Sequence, residues 1–164
     1  MSIPDNNNSK RSHKSVFVVI IFTGLLAGLL DGAAAVIHVT LLGNPQPMKV
    51  FNYIASGIFG DTAFSGGMAM TSFGVLFHLG IATIWTGLFF LFYKVFLRVT
   101  GNWLILGILY GIIVWIGMNL VVLPLSNTPP RTFSINNAVI GVLILIICVG
   151  IPVAYSAFKF YKKN

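Results

Sequence analysis

The sequence predicts an all-α membrane protein: a four-transmembrane-helix bundle with both termini in the cytoplasm and an extra amphipathic or re-entrant helix in the first outer loop. Three observations carry this. Four apolar runs are each long enough to cross a bilayer, charge is nearly absent from them, and the cations gather where alternate runs end. Of 164 residues, 57% are hydrophobic and 8% charged, whereas a soluble domain carries about 25% charge. The mean hydropathy is +0.92. A soluble fold of this size could not hide so much apolar surface.

Residues 1–15 are polar and basic and read as a disordered cytoplasmic tail. Residues 16–160 form a single domain, with spanning helices expected at about 16–42, 71–97, 102–125 and 136–159. Each reaches the roughly 20 residues needed to cross about 30 Å of hydrocarbon. None alternates in polarity as the strands of a membrane barrel would. The first run also resembles a cleavable signal peptide, with a basic start and an A-x-A site at Ala33–Ala35. It continues to Leu42, too long for a signal core, so it reads as a retained span.

Ten cations against three acids give a net charge of +7. Lys10, Arg11 and Lys14 precede the first run, Lys94 and Arg98 end the second, and Lys159, Lys162 and Lys163 end the fourth. With an even number of crossings, all three clusters fall on one side, as the positive-inside bias requires. Only Lys49 and Arg131 fall on the other. This distribution belongs to a membrane protein, not to a nucleic-acid-binding face.

Between the first two spans, residues 47–60 are too short to cross. Val50, Phe51, Ile54, Ala55, Ile58 and Phe59 recur at helical spacing, which predicts an amphipathic helix lying on or dipping into the outer surface. The glycine-rich stretch 60–70 then turns the chain. Pro129 and Pro130 bar regular helix from the loop between spans three and four.

Each span carries a seam of small or polar residues. In the first, Gly24, Gly28, Asp31, Ala35 and His38 form one stripe, and Gly24, Gly28 and Gly32 make two G-x-x-x-G steps. The second has Gly74, His78, Ala82 and Thr86; the third Gly107, Gly111, Trp115 and Asn119; the fourth Asn137, Gly141 and Cys148. Small residues let helices approach closely where no hydrophobic force drives them together. The seams serve packing within the bundle or assembly of a homo-oligomer, and spacing alone does not distinguish the two.

At 1.5 Å per residue, His38 is expected about 6 Å, His78 about 10 Å and Asn119 about 9 Å inside the outer surface. Asn136 and Asn137 begin the fourth span there. A shared polar layer of His38, His78 and Asn119 is therefore expected, with Asp31 about 10 Å deeper than His38. A charge in a bilayer costs at least about 2.5 kcal/mol, so intramembrane ionisable groups are functional candidates. The polar cluster Asp31, His38, His78, Asn119 and Asn137 has three readings. It binds or passes a small solute or protons; or His38 and His78 ligate haem or a metal; or the residues only tie helices together and the protein is structural. Haem ligation has one histidine pair to draw on, and zinc would want two more ligands. No cofactor is expected under the first or third reading.

No H-E-x-x-H, P-loop, paired carboxylate or Ser-His-Asp arrangement appears, so catalysis is not expected. The one cysteine, Cys148, excludes an intramolecular disulfide and reads as a small buried hydrophobe.

The phrases "GLLDGAAAVIH" (28–38), "FNYIASGIFGDTAFSGG" (51–67), "GVLFHLG" (74–80) and "GMNLVVLPLSNTP" (117–129) are specific beyond composition. Over residues 17 to 158 the chain resembles a family of small uncharacterised four-span bacterial integral membrane proteins. A remoter likeness is to YagU-type inner-membrane proteins, a group linked with acid tolerance, through a histidine in a similar apolar helix. The resemblance implies a multi-pass location in a bacterial cytoplasmic membrane and supplies no catalytic residue, cofactor or substrate.

Overall fold

The computed structural model describes residues 6–130 and 134–163, with no account of the side chains of residues 6–15, 99 and 163. Residues 1–5 of the expected tail and Arg131 lie outside the described residues. The elements, in order, are α1 (Asn6–Leu41), α2 (Lys49–Phe59), a 3-10 turn (Gly60–Phe64), α3 (Gly67–Thr100), α4 (Trp103–Gly117) with a π-helical turn (Met118–Val122), and α5 (Ile135–Leu145). A second π-helical turn (Ile146–Gly150) joins α5 to α6 (Ile151–Lys163). Among the described residues four helical stretches are long and apolar enough to span a membrane: Val16–Leu41, Gly67–Arg98, Trp103–Val122 and Ile135–Lys162. The chain is a multi-pass helical membrane protein.

Three boundaries differ from the sequence reading. Helix α1 already runs through residues 6–15, the greater part of the expected tail. No proline or glycine interrupts that stretch, so extending an existing helix is cheaper than ending it. Helix α3 begins four residues early, at Gly67, where a positive φ of 55° lets the chain turn out of the 3-10 segment. The fourth span is not one regular helix: its π-helical turn shifts the register at Cys148.

The spans form a ring in which α1 packs on α3, α3 on α4, α4 on the α5–α6 span, and that span on α1. The seams meet in pairs. A Cβ at Gly24 would lie 2.6 Å from the Cα of Thr83, one at Gly28 would touch Ala82 and Leu79, and one at Gly32 would touch the His78 ring. Helix α3 therefore lies directly on the glycine stripe of α1. On the other side of the ring, Gly107 faces Gly150, Gly111 faces Ile146, and Gly141 faces the indole of Trp115. These glycines are used within the chain.

Helix α2 lies across the start of α3. Gly74 makes this crossing feasible, because any Cβ there would run into the backbone carbonyl of Phe51. The buried face of α2 is Phe51, Asn52, Ala55 and Ser56, while Ile58 is 60% exposed. Phe51 and Ala55 of the apolar face turn to the protein, and Ile58 turns outward. In a membrane the small and hydrogen-bonding side chains seek the protein and the large apolar ones are left outside. Asn52 fixes the crossing: its Nδ2 donates to the Ala63 carbonyl at 2.8 Å and its Oδ1 accepts from Thr71 Oγ1 at 2.9 Å. The backbone N–H of Asn127 caps the other end by donating to the Gly57 carbonyl at 3.0 Å.

Toward the basic end the core is aromatic. Phe89, Phe90, Tyr93 and Tyr110 are almost fully buried with Val149, Val153 and Ala154. Tyr110 donates to the Trp85 carbonyl at 2.5 Å and Tyr161 to the Phe90 carbonyl at 3.1 Å. Thr23 and Ser156 share a hydrogen bond of 2.7 Å between α1 and α6. The Lys94 ammonium lies 5.2 Å from the Tyr161 ring centroid, and that of Lys159 4.9 Å from Tyr155, as expected for cations seated on aromatic faces at a helix end.

Candidate functional site: a carboxylate–imidazole pair at the α1–α3 crossing

Asp31 and His78 meet across the glycine stripe. The His78 Nε2 lies 3.6 Å from Asp31 Oδ2 and 2.9 Å from the Gly28 carbonyl oxygen, and the two side chains are only 15% and 18% exposed. The local sequence makes this contact. With no side chain at Gly28 or Gly32, the imidazole rests against the α1 backbone; a Cβ on Gly32 would be 3.2 Å from Nε2. Gly28 O is accessible to an outside donor because a carbonyl has two lone pairs and the helix uses one. Both neighbours of Nε2 are acceptors, which assigns the hydrogen to Nε2.

The pair is closed on the α2 side by Phe51, 8% exposed. Its ring stands edge-on to His78 with centroids 6.0 Å apart, and its Cζ would touch a Cβ at Gly32 at 3.4 Å. Cys148 sits in the π-helical turn of the fourth span, which packs on α1.

The remaining predicted residues fall elsewhere, and the expected common layer of His38, His78 and Asn119 is corrected. Counted from the true start of α3 at Gly67, His78 is eleven residues in, about 16 Å and not about 10 Å at 1.5 Å per residue. That extra turn carries it past His38 to the level of Asp31. His38 remains on the same stripe about 10 Å away, with its Nε2 buried and without a hydrogen-bond partner among the described residues. Asn119 Nδ2 donates to the Trp115 carbonyl of its own helix at 2.9 Å. Asn137 is exposed at the start of α5. Among the described residues no hydrogen bond or ion pair joins His38, His78 and Asn119.

This bears on ligation. The His78 Nε2 already faces two oxygens, and His38 is at another depth, so the two rings do not address one axial pair. Among the described residues no group of three His, Cys, Asp or Glu side chains could hold a metal ion.

Sequence reading did not single out Asn52, Thr71 or Asn127, and it named Phe51 only as one apolar residue of the amphipathic helix. Asn52 was detectable in principle: it shares a face with Ala55 and Ser56, and a polar side chain there needs a partner. Nothing in the sequence names Ala63 or Asn127 as a partner of α2.

The chain matches no protein-family model, no curated protein and no solved structure. Fold and site nonetheless define a class: a four-span helical membrane protein with a partly buried acid–imidazole pair where its first two spans cross.

Proposed function

We infer that this protein sits in the cytoplasmic membrane of a bacterium with both termini inside, α2 on the outer surface, and that Asp31 and His78 form a proton-binding site with a non-enzymatic, transport-like role for a proton or small solute. The observation that carries the reading is the 3.6 Å approach of His78 Nε2 to Asp31 Oδ2 inside the spans. Taken as carboxylate plus neutral imidazole, the pair bears one negative charge. One added proton makes it neutral overall, whether the proton rests on the imidazole or on the carboxyl. In a medium where charge is costly, this makes proton occupancy the variable that the site controls. The orientation is supported by Lys94, Arg98, Lys159 and Lys162 ending spans on one side. The bacterial location is supported by the resemblance to small four-span bacterial membrane proteins.

The test is infrared difference spectroscopy of protein in liposomes, titrated with pH. A carboxyl stretch that comes and goes with pH is expected beyond those of the other carboxyls of the chain, Asp5 and Asp61 among them, lost in Asp31→Asn and moved in frequency in His78→Gln. Identical titration spectra for wild type and Asp31→Asn, or an Asp31 band indifferent to His78→Gln, defeat the reading. Inward proton flux in the same liposomes should fall in both variants at equal protein content.

A further inference from the structure

Two depressions meet at Tyr53 on the side of α2 turned away from Asn52. The first, about 290 Å³, lies between α2, α3 and the end of α4, with Ile54, Phe77, Ile81, Met118 and Val122 among its walls. Its lining is almost wholly apolar, with Tyr53, Ser126 and Thr128 as the hydroxyl-bearing exceptions. The second, about 280 Å³, opens beside it and is bounded by Lys49, Asn44, Val39 and Pro129. Tyr53 lines both, so an apolar slot and a cationic bay are neighbours along a single helix.

Depth fits this division. Lys94 marks the basic boundary of α3, and 30 Å of hydrocarbon corresponds to about twenty residues. Counting back from Lys94 brings the outer edge of the hydrocarbon to Gly74, below the headgroup-level start of α3 at Gly67 and where the Phe51 carbonyl abuts the helix. Phe77 and Ile81 then lie in the hydrocarbon, and Lys49, two residues before Phe51, lies at the headgroup level. Lys49 has no ion-pair partner among the described residues. A slot of this size falls just under the range of about 300–1,000 Å³ typical of pockets for drug-sized ligands. Its volume suits a segment of one acyl chain, and its apolar lining disfavours a headgroup.

We propose that this is a site for an anionic phospholipid, with a segment of one acyl chain in the α2–α3–α4 slot and the phosphate beside Lys49. An anionic headgroup is favoured over a zwitterionic one because a choline would set a second cation beside the lysine. The site is independent of the Asp31–His78 pair, which lies on the other side of the α2–α3 crossing and has its own test.

The experiment is native mass spectrometry of the full chain released from nanodiscs of equimolar dioleoyl phosphatidylcholine and dioleoyl phosphatidylglycerol. Wild type should carry one retained lipid, enriched in phosphatidylglycerol. Gly57→Leu should lose it, since Gly57 lines the slot and its added Cβ meets Ser126 at an ordinary 3.6 Å. Ile81→Phe, filling the slot from α3, should give the same loss, and Gly57→Ala should keep the lipid. Lys49→Gln should retain a lipid with its preference for phosphatidylglycerol reduced about five-fold, the weight of one lysine at a charged surface. Unchanged retention in folded Gly57→Leu or Ile81→Phe overturns the slot. Equal retention of both lipids by wild type, or a preference untouched by Lys49→Gln, overturns the headgroup assignment.

Discussion

At the basic end, Phe89, Tyr93, Tyr110 and Tyr161 fill the space between spans with rings, and Tyr110 and Tyr161 donate to backbone carbonyls of α3. At the α2 end, the same bundle holds Asp31, His78 and Asn52, and two open depressions lie alongside α2. The basic end joins span to span, whereas the α2 end joins a short helix to the bundle by one close backbone crossing and a few hydrogen bonds. Membrane helices gain little from burying apolar groups, because lipid is as apolar as leucine. Rigidity must then come from close packing and satisfied polar groups, and the basic end has more of the first. The α2 end should be where the molecule opens.

The largest expected effect tests this contrast directly. Gly150→Ala places a methyl against the Gly107 carbonyl at the α4–α6 crossing and should cost about 3 kcal/mol, the upper end of ordinary overpacking. Its thermal unfolding in detergent should show the whole bundle losing stability. Gly74→Ala is equally crowded, by the Phe51 carbonyl, but should displace only α2. Hydrogen exchange should then rise in α2 while the four spans keep their protection. Global unfolding by Gly74→Ala would break the comparison.

A smaller effect is expected from Asn52→Ala, which leaves the Ala63 carbonyl and the Thr71 hydroxyl without their partner. A loss of about 1–3 kcal/mol in local stability is expected, read as faster exchange of α2 amides. Smaller still is Tyr110→Phe, which deletes the donor to Trp85 O but keeps the ring against Phe89. It should lower global stability by about 1 kcal/mol, measured by denaturant unfolding, with no effect on α2 exchange. If Tyr110→Phe loosened α2 as much as Asn52→Ala, the two ends would not be separable.

The four spans were legible in the sequence because length and apolarity are all that crossing a bilayer demands. The glycine seams were legible too, since a stripe of small residues marks where another backbone comes close. What spacing could not tell was which seam meets which: Gly28 receives Ala82 and Gly107 receives Gly150, pairings set by the ring order of the helices. The polar site was half legible. Asp31 and His78 stood out as ionisable groups in apolar helices, but their meeting depended on where α3 begins, and a four-residue error there assigned His78 to the level of His38. Which face of α2 meets the protein was not legible for a related reason: apolar spacing marks what avoids water, and beside a membrane that includes the lipid-facing side.

The π-helical turn at Ile146–Gly150 gives the fourth span one more residue per turn there than a regular helix holds. It acts as a phase adjuster between two half-helices. Upstream, Gly141 is aimed at Trp115; downstream, Ser156 is aimed at Thr23 and Tyr161 at Phe90. Because the turn holds one residue as a surplus, removing one residue there would leave an ordinary helix that still crosses the bilayer and keeps Ser156 and Tyr161 on their faces. Removing a residue of regular α6 before Ser156 has no such slack and would rotate everything after it by about 100°, turning Ser156 and Tyr161 away from their partners. The turn is thus where this span can lose a residue and keep its aim.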